Sequence, residues 1–109
     1  MWVDIKGYEG LYQVSDTGLV RNRYGRLLKA CKRHSCYPKQ TLSKDGYPTY
    51  HLIRRLVAST FIPNPLNLPE LIHLDNDRQN NKAINLVWAT TLEYRQQVQD
   101  YIRDSKDIS

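Results

Sequence analysis

Two cysteines and a histidine lie close enough together to raise the question of a metal site: Cys31, His34 and Cys36. Thiolate and imidazole groups are the usual zinc ligands, but a structural zinc site takes four ligands and often includes a Cys-x-x-Cys pair. The chain has no further cysteine. Two reduced cysteines in a basic loop are the favoured interpretation, and a zinc site is the alternative.

The same segment belongs to the most basic part of the chain, residues 21–44, which contain no acidic side chain. Residues 1–60 carry 11 basic and 4 acidic side chains, whereas residues 61–109 carry 5 basic and 7 acidic ones. The net charge is +5 and the isoelectric point is near 9.3. Such a surface attracts polyanions because each neutralised phosphate releases counterions, and the alternative is a solvated basic face. The predicted nucleic-acid or partner-binding residues are Arg21, Arg23, Arg26, Lys29, Lys32, Arg33, Lys39, Lys44, Arg54 and Arg55.

Four tyrosines alternate with these cations along the chain. A sheet that carries both types of side chain could track phosphates or line a groove of a nucleic acid. They are Tyr24, Tyr37, Tyr47 and Tyr50.

Short strands separated by turn residues are predicted for the first half of the chain. Asp45-Gly46 is a strong hairpin signal between the last two of them. The predicted strands cover residues 8–15, 19–21, 37–42 and 47–52.

Helical spacing begins at Ile53, because apolar residues then recur at intervals of three and four up to Phe61. Arg54 and Arg55 are expected on the outer face of this helix. Further on, Thr90 and Glu93 have the spacing of a capping box, which predicts a helix from about residue 91 with Tyr94 on its apolar face. Between the helices, strands are predicted at 69–75 and 84–89, with a polar loop at 76–81.

Length and composition exclude several classes of protein. A chain of 109 residues with 40% hydrophobic residues fits one globular domain. No run approaches the ~18 apolar residues of a membrane-spanning helix, and the N-terminus lacks the pattern of a signal peptide. A cytoplasmic location, no membrane association and no small-molecule substrate are therefore expected.

Two ordered sets of residues resemble a known family across nearly the whole chain. The segments 56–65 (LVASTFIPNP), 72–75 (IHLD) and 85–88 (NLVW), with Asn80-Asn81, resemble the HNH endonucleases of phages, which are ββα-metal nucleases and often homing enzymes. The opening segment 2–15 (WVDIKGYEGLYQVS) resembles the nuclease-associated DNA-binding module that precedes many of them.

The resemblance implies a particular set of site residues. In the family, two Asp or Asn side chains hold a divalent metal, a His acts as general base and an Asn pins the loop between two strands. The general base falls on His73 and the loop organiser on Asn85, but the two metal positions fall on Ile72 and Tyr94. Isoleucine has no lone pair, and a phenol is a poor magnesium ligand at neutral pH.

Alternatives remain for the polar residues around the predicted base. His73 is interpreted as a vestigial residue with a structural hydrogen bond, and the alternative is a working general base. Asp75 stands two residues away and could share its strand face, so a relocated metal site at Asp75 and Asp77 is the alternative to a polar loop. The family also often has His where Arg54 stands.

The sequence thus predicts an α+β fold, in which a small N-terminal antiparallel sheet (1–52) precedes a degenerate HNH-like ββα unit with a C-terminal helix (53–109). The predicted function is non-catalytic binding, either to DNA or to host machinery that handles nucleic acid, as a regulator or an inhibitor of host defence or transcription. No cofactor is then expected. The alternative is an active metal-dependent HNH endonuclease with a rebuilt site, which would need Mg²⁺. A phage-encoded protein would act in the cytoplasm of the host cell.

Overall fold

The computed structural model describes residues 1–30 and 37–107, and these ranges contain antiparallel strands and separate helices. This is the predicted α+β fold. None of the helices in the described ranges is long and apolar enough to cross a membrane. The elements are β1 (Trp2–Asp4), β2 (Tyr12–Ser15), β3 (Val20–Asn22), β4 (Lys39–Lys44), β5 (Tyr47–Leu52), α1 (Ile53–Phe61), β6 (Glu70–His73), a 3₁₀ helix (Ala83–Asn85), β7 (Leu86–Ala89) and α2 (Thr91–Asp107).

The strands of the first half divide between two sheets. β1, β2 and β3 form a three-stranded antiparallel sheet in that order, while β4 pairs with β5. The chain after β3 folds back along this strand, where Leu27 forms a bridge with Arg21 and Leu28 donates to the carbonyl of Val20. This return occupies the outer edge of β3, so β4 has no free edge there to join.

The β4–β5 hairpin turns at Asp45 and Gly46, whose φ angles of 54° and 82° are both positive. A two-residue type I′ turn requires such angles, which explains the residue types at this turn. The ladder runs from Lys39 opposite Leu52 to Lys44 opposite Tyr47.

The second half surrounds a second hairpin, in which β6 pairs with β7. Helix α2 begins with the predicted capping box: the Thr90 N–H donates to Glu93 Oε1, and the Glu93 N–H donates to Thr90 Oγ1. α2 contacts β6, and α1 contacts β7, so two helices pack on this hairpin.

The buried core draws on both halves of the chain, since residues of β2, β3 and β4 pack with residues of α1 and β7. The proposed division of the chain after residue 52 stays a prediction. The core cluster contains Ile5, Val14, Val20, Leu42, Ile53, Leu56, Val57 and Leu86.

Candidate functional site

His73 is the last residue of β6 and is 1% exposed. Its Nε2 lies 2.8 Å from Asn81 Oδ1. Gln97 of α2 holds the backbone of the same residue, because Gln97 Oε1 accepts the His73 N–H at 3.0 Å and Gln97 Nε2 donates to the His73 carbonyl. Both the ring and the backbone of His73 are thus fixed by elements outside its own strand.

The surroundings of His73 favour the neutral imidazole. Burial lowers its pKa, and the charge of Arg54 lowers it further, while the Asn81 hydrogen bond and the carboxylates of Asp75 and Asp77 act in the opposite direction. Because Asn81 Oδ1 accepts the hydrogen bond, the Nε2 atom carries the proton. A general base must contact the water molecule that it deprotonates. Because His73 is only 1% exposed, its imidazole has little contact with water.

Tyr37 covers this site. Its ring is stacked on that of His73, with 5.8 Å between centroids and an angle of 16° between planes. The Arg54 guanidinium carbon lies 3.8 Å from the centroid of the Tyr37 ring, and that of Arg78 lies 4.5 Å from it. One aromatic ring therefore contacts an imidazole and two guanidinium groups.

The expectation that Arg54 lies on the outer face of α1 is wrong, because its side chain is only 5% exposed. The helix is covered on more than its apolar stripe: Tyr37 and Tyr94 both approach the Arg54 guanidinium, the latter with its ring centroid at 5.4 Å. The neighbouring Arg55 remains half-exposed and donates to the carbonyl of Pro69 at 2.6 Å.

Tyr94, in the first turn of α2, lies beside Arg54, whose guanidinium carbon is 5.4 Å from the Tyr94 ring centroid. Burial would raise the pKa of the Tyr94 phenol, but the hydrogen bonds from Tyr37 and Arg54 outweigh it, and the net direction is downward. Burial and the bond to Tyr94 raise the pKa of Tyr37.

The two positions at which the resemblance implies metal ligands do not fit a divalent cation. Ile72 offers no donor atom, and strand alternation places it on the face of β6 opposite the buried His73. The phenol of Tyr94 lies beside a cation, since the Arg54 guanidinium carbon is 5.4 Å from its ring centroid. Among the residues that the structure describes, no three His, Cys, Asp or Glu side chains group as a metal site would need.

Asp75, the alternative ligand, is engaged in the loop after β6. Its Oδ1 accepts from Asn85 Nδ2 at 2.9 Å and from the Asp77 N–H at 2.8 Å, and its Oδ2 accepts from Asn80 Nδ2 at 2.8 Å. Burial raises the pKa of Asp75, but the hydrogen bonds from Asn80, Asp77 and Asn85 together outweigh it, and the net direction is downward. The hydrogen bonds of the Asp75 carboxylate therefore stabilise the loop after β6.

Asn85 joins the two sides of that loop. Its amide nitrogen donates to Asp75 and to the Asn80 carbonyl, both at 2.9 Å, and its oxygen accepts the Asp75 N–H at 3.2 Å. The side chain is buried, so these bonds form away from water, where an unmade bond is costly.

The turn between β2 and β3 supports the same loop from the N-terminal half. Gly18 has a φ of +89°, and a Cβ at this position would lie 3.1 Å from the carbonyl oxygen of Asn81. The Ala83 N–H donates to the Asp16 carbonyl at 2.8 Å. The partner of His73, Asn81, is therefore positioned partly by the first sheet.

The predicted basic surface is partly assembled in the structure. A groove of about 210 Å³ lies between the β3 turn and the β4–β5 hairpin tip, and brings Arg23 and Tyr24 beside Ser43. Lys44 reaches from the same tip to the carbonyl of Gly7 at 3.0 Å. Among the described residues predicted to bind on this half, Arg21 is half-buried against the Trp2 ring. The exposed ones are Arg23, Arg26, Lys29, Lys39 and Lys44.

Three of the four tyrosines that alternate with these cations are exposed, each to between 77% and 78%: Tyr24, Tyr47 and Tyr50. Tyr37 differs, because it lies over His73 and Arg54 instead of on the exposed surface. The predicted binding residues Lys32 and Arg33, and the zinc candidates Cys31, His34 and Cys36, lie outside the described residues.

Sequence reasoning missed four residues of this site: Tyr37, Arg78, Asn81 and Gln97 surround His73 or Arg54. The Asn80-Asn81 pair was a usable signal for Asn81, since one of two adjacent amides can point inward. Tyr37 and Gln97 come from segments distant from His73, whereas Arg78 lies in the loop after β6, and none of the three has a local signature.

Comparison with known proteins identifies the class to which this fold and site belong. The NUMOD4 motif matches residues 1–53. The DNA endonuclease I-HmuI of Bacillus phage SP01 is 39% identical over 90 residues, which are 82% of this chain and 52% of that protein. The uncharacterized HNH endonuclease L245 of Acanthamoeba polyphaga mimivirus is 41% identical over 69 residues, or 54% of this chain and 21% of the relative.

Comparison of the fold with solved structures agrees with the sequence comparison. A solved structure described as DNA binding and cleavage by the HNH homing endonuclease I-HmuI superimposes with a TM-score of 0.78 at 33% identity, over 99% of this chain and 65% of that one. The chain is therefore a homologue of the phage-type HNH endonucleases. It spans about half the length of I-HmuI and about a fifth of the mimivirus relative.

Proposed function

We propose that this chain binds double-stranded DNA through its basic N-terminal half and does not cleave it. The DNA partner is supported by the exposed cations on β4 and on the turn after β3. It is also supported by the relative I-HmuI, which is called a DNA endonuclease and whose solved structure is described as DNA binding and cleavage.

One observation carries the non-catalytic part of the proposal: a buried guanidinium lies beside one of the two positions at which the family holds its metal. The Arg54 guanidinium carbon lies 5.4 Å from the ring centroid of Tyr94, which occupies one of the two ligand positions, and Ile72 occupies the other. A fixed positive charge at this distance repels a divalent ion, and within the described ranges no carboxylate cluster replaces the missing ligands.

The state of His73 supports the same proposal. A neutral imidazole with its proton on Nε2 keeps a basic Nδ1, but His73 is only 1% exposed and its ring lies beneath Tyr37. The ring is thus held by contacts that serve packing, and the attacking water that cleavage requires has little access to it.

Fluorescence anisotropy of a labelled random duplex, over a salt series with Mg²⁺ present, tests the proposal. We expect salt-dependent binding with intact DNA afterwards. The double variant Lys39→Gln/Lys44→Gln should weaken binding and flatten the salt dependence, by about 0.9 in slope for each phosphate that the protein no longer neutralises. The matched control Lys82→Gln/Arg95→Gln removes the same charge from exposed positions outside the basic surface and should leave the slope unchanged.

Two results would contradict the proposal. Cleaved duplex would show that a metal site has been rebuilt. Absence of binding at low salt would show that the basic surface does not serve DNA, and a host protein would then become the partner to search for.

A further inference from the structure

Arg54 is a buried cation whose hydrogen bonds are incomplete. The side chain is 5% exposed, and its Nε and Nη1 atoms have no hydrogen-bond partner within the described ranges. Neither of the ion pairs found in those ranges includes this residue. Burying a charged donor without a partner is unfavourable, so an arrangement of this kind suits a ligand that is itself an anion.

Positive charge converges at this point. The Arg54 and Arg78 guanidinium carbons lie 3.8 and 4.5 Å from the centroid of one ring, that of Tyr37. A guanidinium group that stacks on an aromatic ring is held in a defined orientation. Its N–H groups then point outward in the guanidinium plane, where they can bind a ligand. Two such groups around one ring form a geometry that favours a phosphate oxygen between or beside them.

We infer that Arg54, with Arg78 beside it, is the cation that receives a DNA phosphate, in place of a metal ion. The inference rests on the proposed DNA binding. It further names Arg54 as the residue that contacts a DNA phosphate at the former nuclease site. Guanidinium binds phosphate oxygens through charge-assisted hydrogen bonds and needs no divalent ion to do so. Phosphate binding at this site is therefore independent of metal.

Access to Arg54 runs past Tyr37. The guanidinium packs on the Tyr37 ring, and its two unpartnered nitrogen atoms are buried, so we expect this ring to move when a phosphate binds. Removing the Tyr37 ring should therefore change DNA affinity in a way that depends on Arg54. Two residues that act through one contact give non-additive effects in a double-mutant cycle.

The test compares Arg54→Met with Arg95→Met, a control that removes the same charge from an exposed position on α2. Binding of a labelled duplex is measured over a salt series, once in EDTA and once in Mg²⁺. We expect Arg54→Met to weaken binding about tenfold and to lower the salt slope by about 1, as removal of one phosphate-binding cation does. The control should change affinity less than about twofold, and EDTA should leave the wild-type affinity unchanged.

Two further variants keep the test decisive if Arg54→Met folds poorly, which thermal melting will show. Arg54→Lys retains the charge and should keep the salt slope while binding more weakly, because an ammonium group lacks the planar fork. Tyr37→Ala should alter affinity in the wild type and have no further effect when Arg54 is already replaced. Equal behaviour of the Arg54 variants and the Arg95 control would overturn the inference.

A second probe separates this inference from the proposed function. Inorganic pyrophosphate should raise the melting temperature of the wild type but not of Arg54→Met. An Arg54-dependent shift without any duplex binding would uphold the phosphate site and refute the proposed DNA binding. Duplex binding that is insensitive to Arg54, with no pyrophosphate shift, would refute the phosphate site and leave the proposed function standing.

Discussion

At the scale of single residues, the site is defined by what surrounds one histidine. Asn81 bonds the His73 ring, Tyr37 stacks on it and Gln97 holds its backbone. Each contact stabilises one orientation and reduces the exposure of the imidazole. Because burial changes the pKa of His73 on folding, the free energy of unfolding depends on whether this imidazole is protonated.

The pH dependence of stability follows from the lowered pKa of His73. Burial lowers this pKa in the folded chain, so below the unfolded value of about 6.5 the unfolded chain binds more protons. The stabilisation is therefore complete above about pH 6.5 and falls away as the pH approaches the folded pKa, by at most about 1.4 kcal/mol per pH unit for one proton.

Thermal melting between about pH 7.5 and 5.5, which brackets the ordinary imidazole pKa, measures this effect. The melting temperature of the wild type should fall with pH, whereas that of His73→Gln should fall less. His51→Gln is a suitable control, because His51 is only half-buried and lies in the separate β4–β5 hairpin. If His73→Gln and the wild type become less stable in parallel, His73 is not the group that titrates.

At the scale of elements, the β2–β3 turn and the loop after β6 act as one support. Gly18 approaches Asn81 so closely that a Cβ at this position would be tightly crowded. The Asp16 carbonyl accepts from Ala83 beside it. The β2–β3 turn of the first sheet therefore helps to position Asn81 through backbone contacts, without contributing a side chain to the site.

Comparing two glycine substitutions tests that support. Gly18→Ala and Gly25→Ala both place a side chain at positive φ, +89° and +81°, which costs about 1–2 kcal/mol. Only Gly18→Ala adds a close contact with Asn81, since nothing lies within 4 Å of a Cβ at Gly25. Urea unfolding should show the larger decrease in stability for Gly18→Ala. Equal decreases would mean that the turn and the loop do not depend on each other.

Local pattern predicted the elements better than it predicted their assembly. Helix α1 and strand β5 have the predicted bounds, because helical spacing and the Asp45-Gly46 turn are properties of short segments. The separation of the first half into two sheets follows from the chain folding back along β3, which is a tertiary event. No residue type in the sequence predicts that the chain folds back along β3.

The same distinction explains the error at Arg54. A charged residue beside an apolar stripe is usually exposed, and periodicity alone assigns it to the outer face. Its burial depends on Tyr37, which precedes it by a whole hairpin, and on Tyr94, which follows the second hairpin. The resemblance marks positions 54, 72 and 94 as unusual, but only the fold shows that a cation and a phenol from two of them meet.

At the scale of the whole molecule, the chain joins a basic half to a half that holds the family's site. The core is common to both, so the two do not fold around separate interiors. The exposed cations of the predicted surface lie on the first half, and the altered site lies in the second. A protein of this kind can keep contact with DNA phosphates without the chemistry that breaks them.

The most direct test of that account is a nicking assay on supercoiled plasmid with the wild-type chain, in Mg²⁺ and separately in Mn²⁺. The protein is added at concentrations at which anisotropy shows the DNA to be bound. The account predicts that the plasmid stays supercoiled in both metals. Nicked plasmid that requires the metal and disappears in His73→Ala would contradict it.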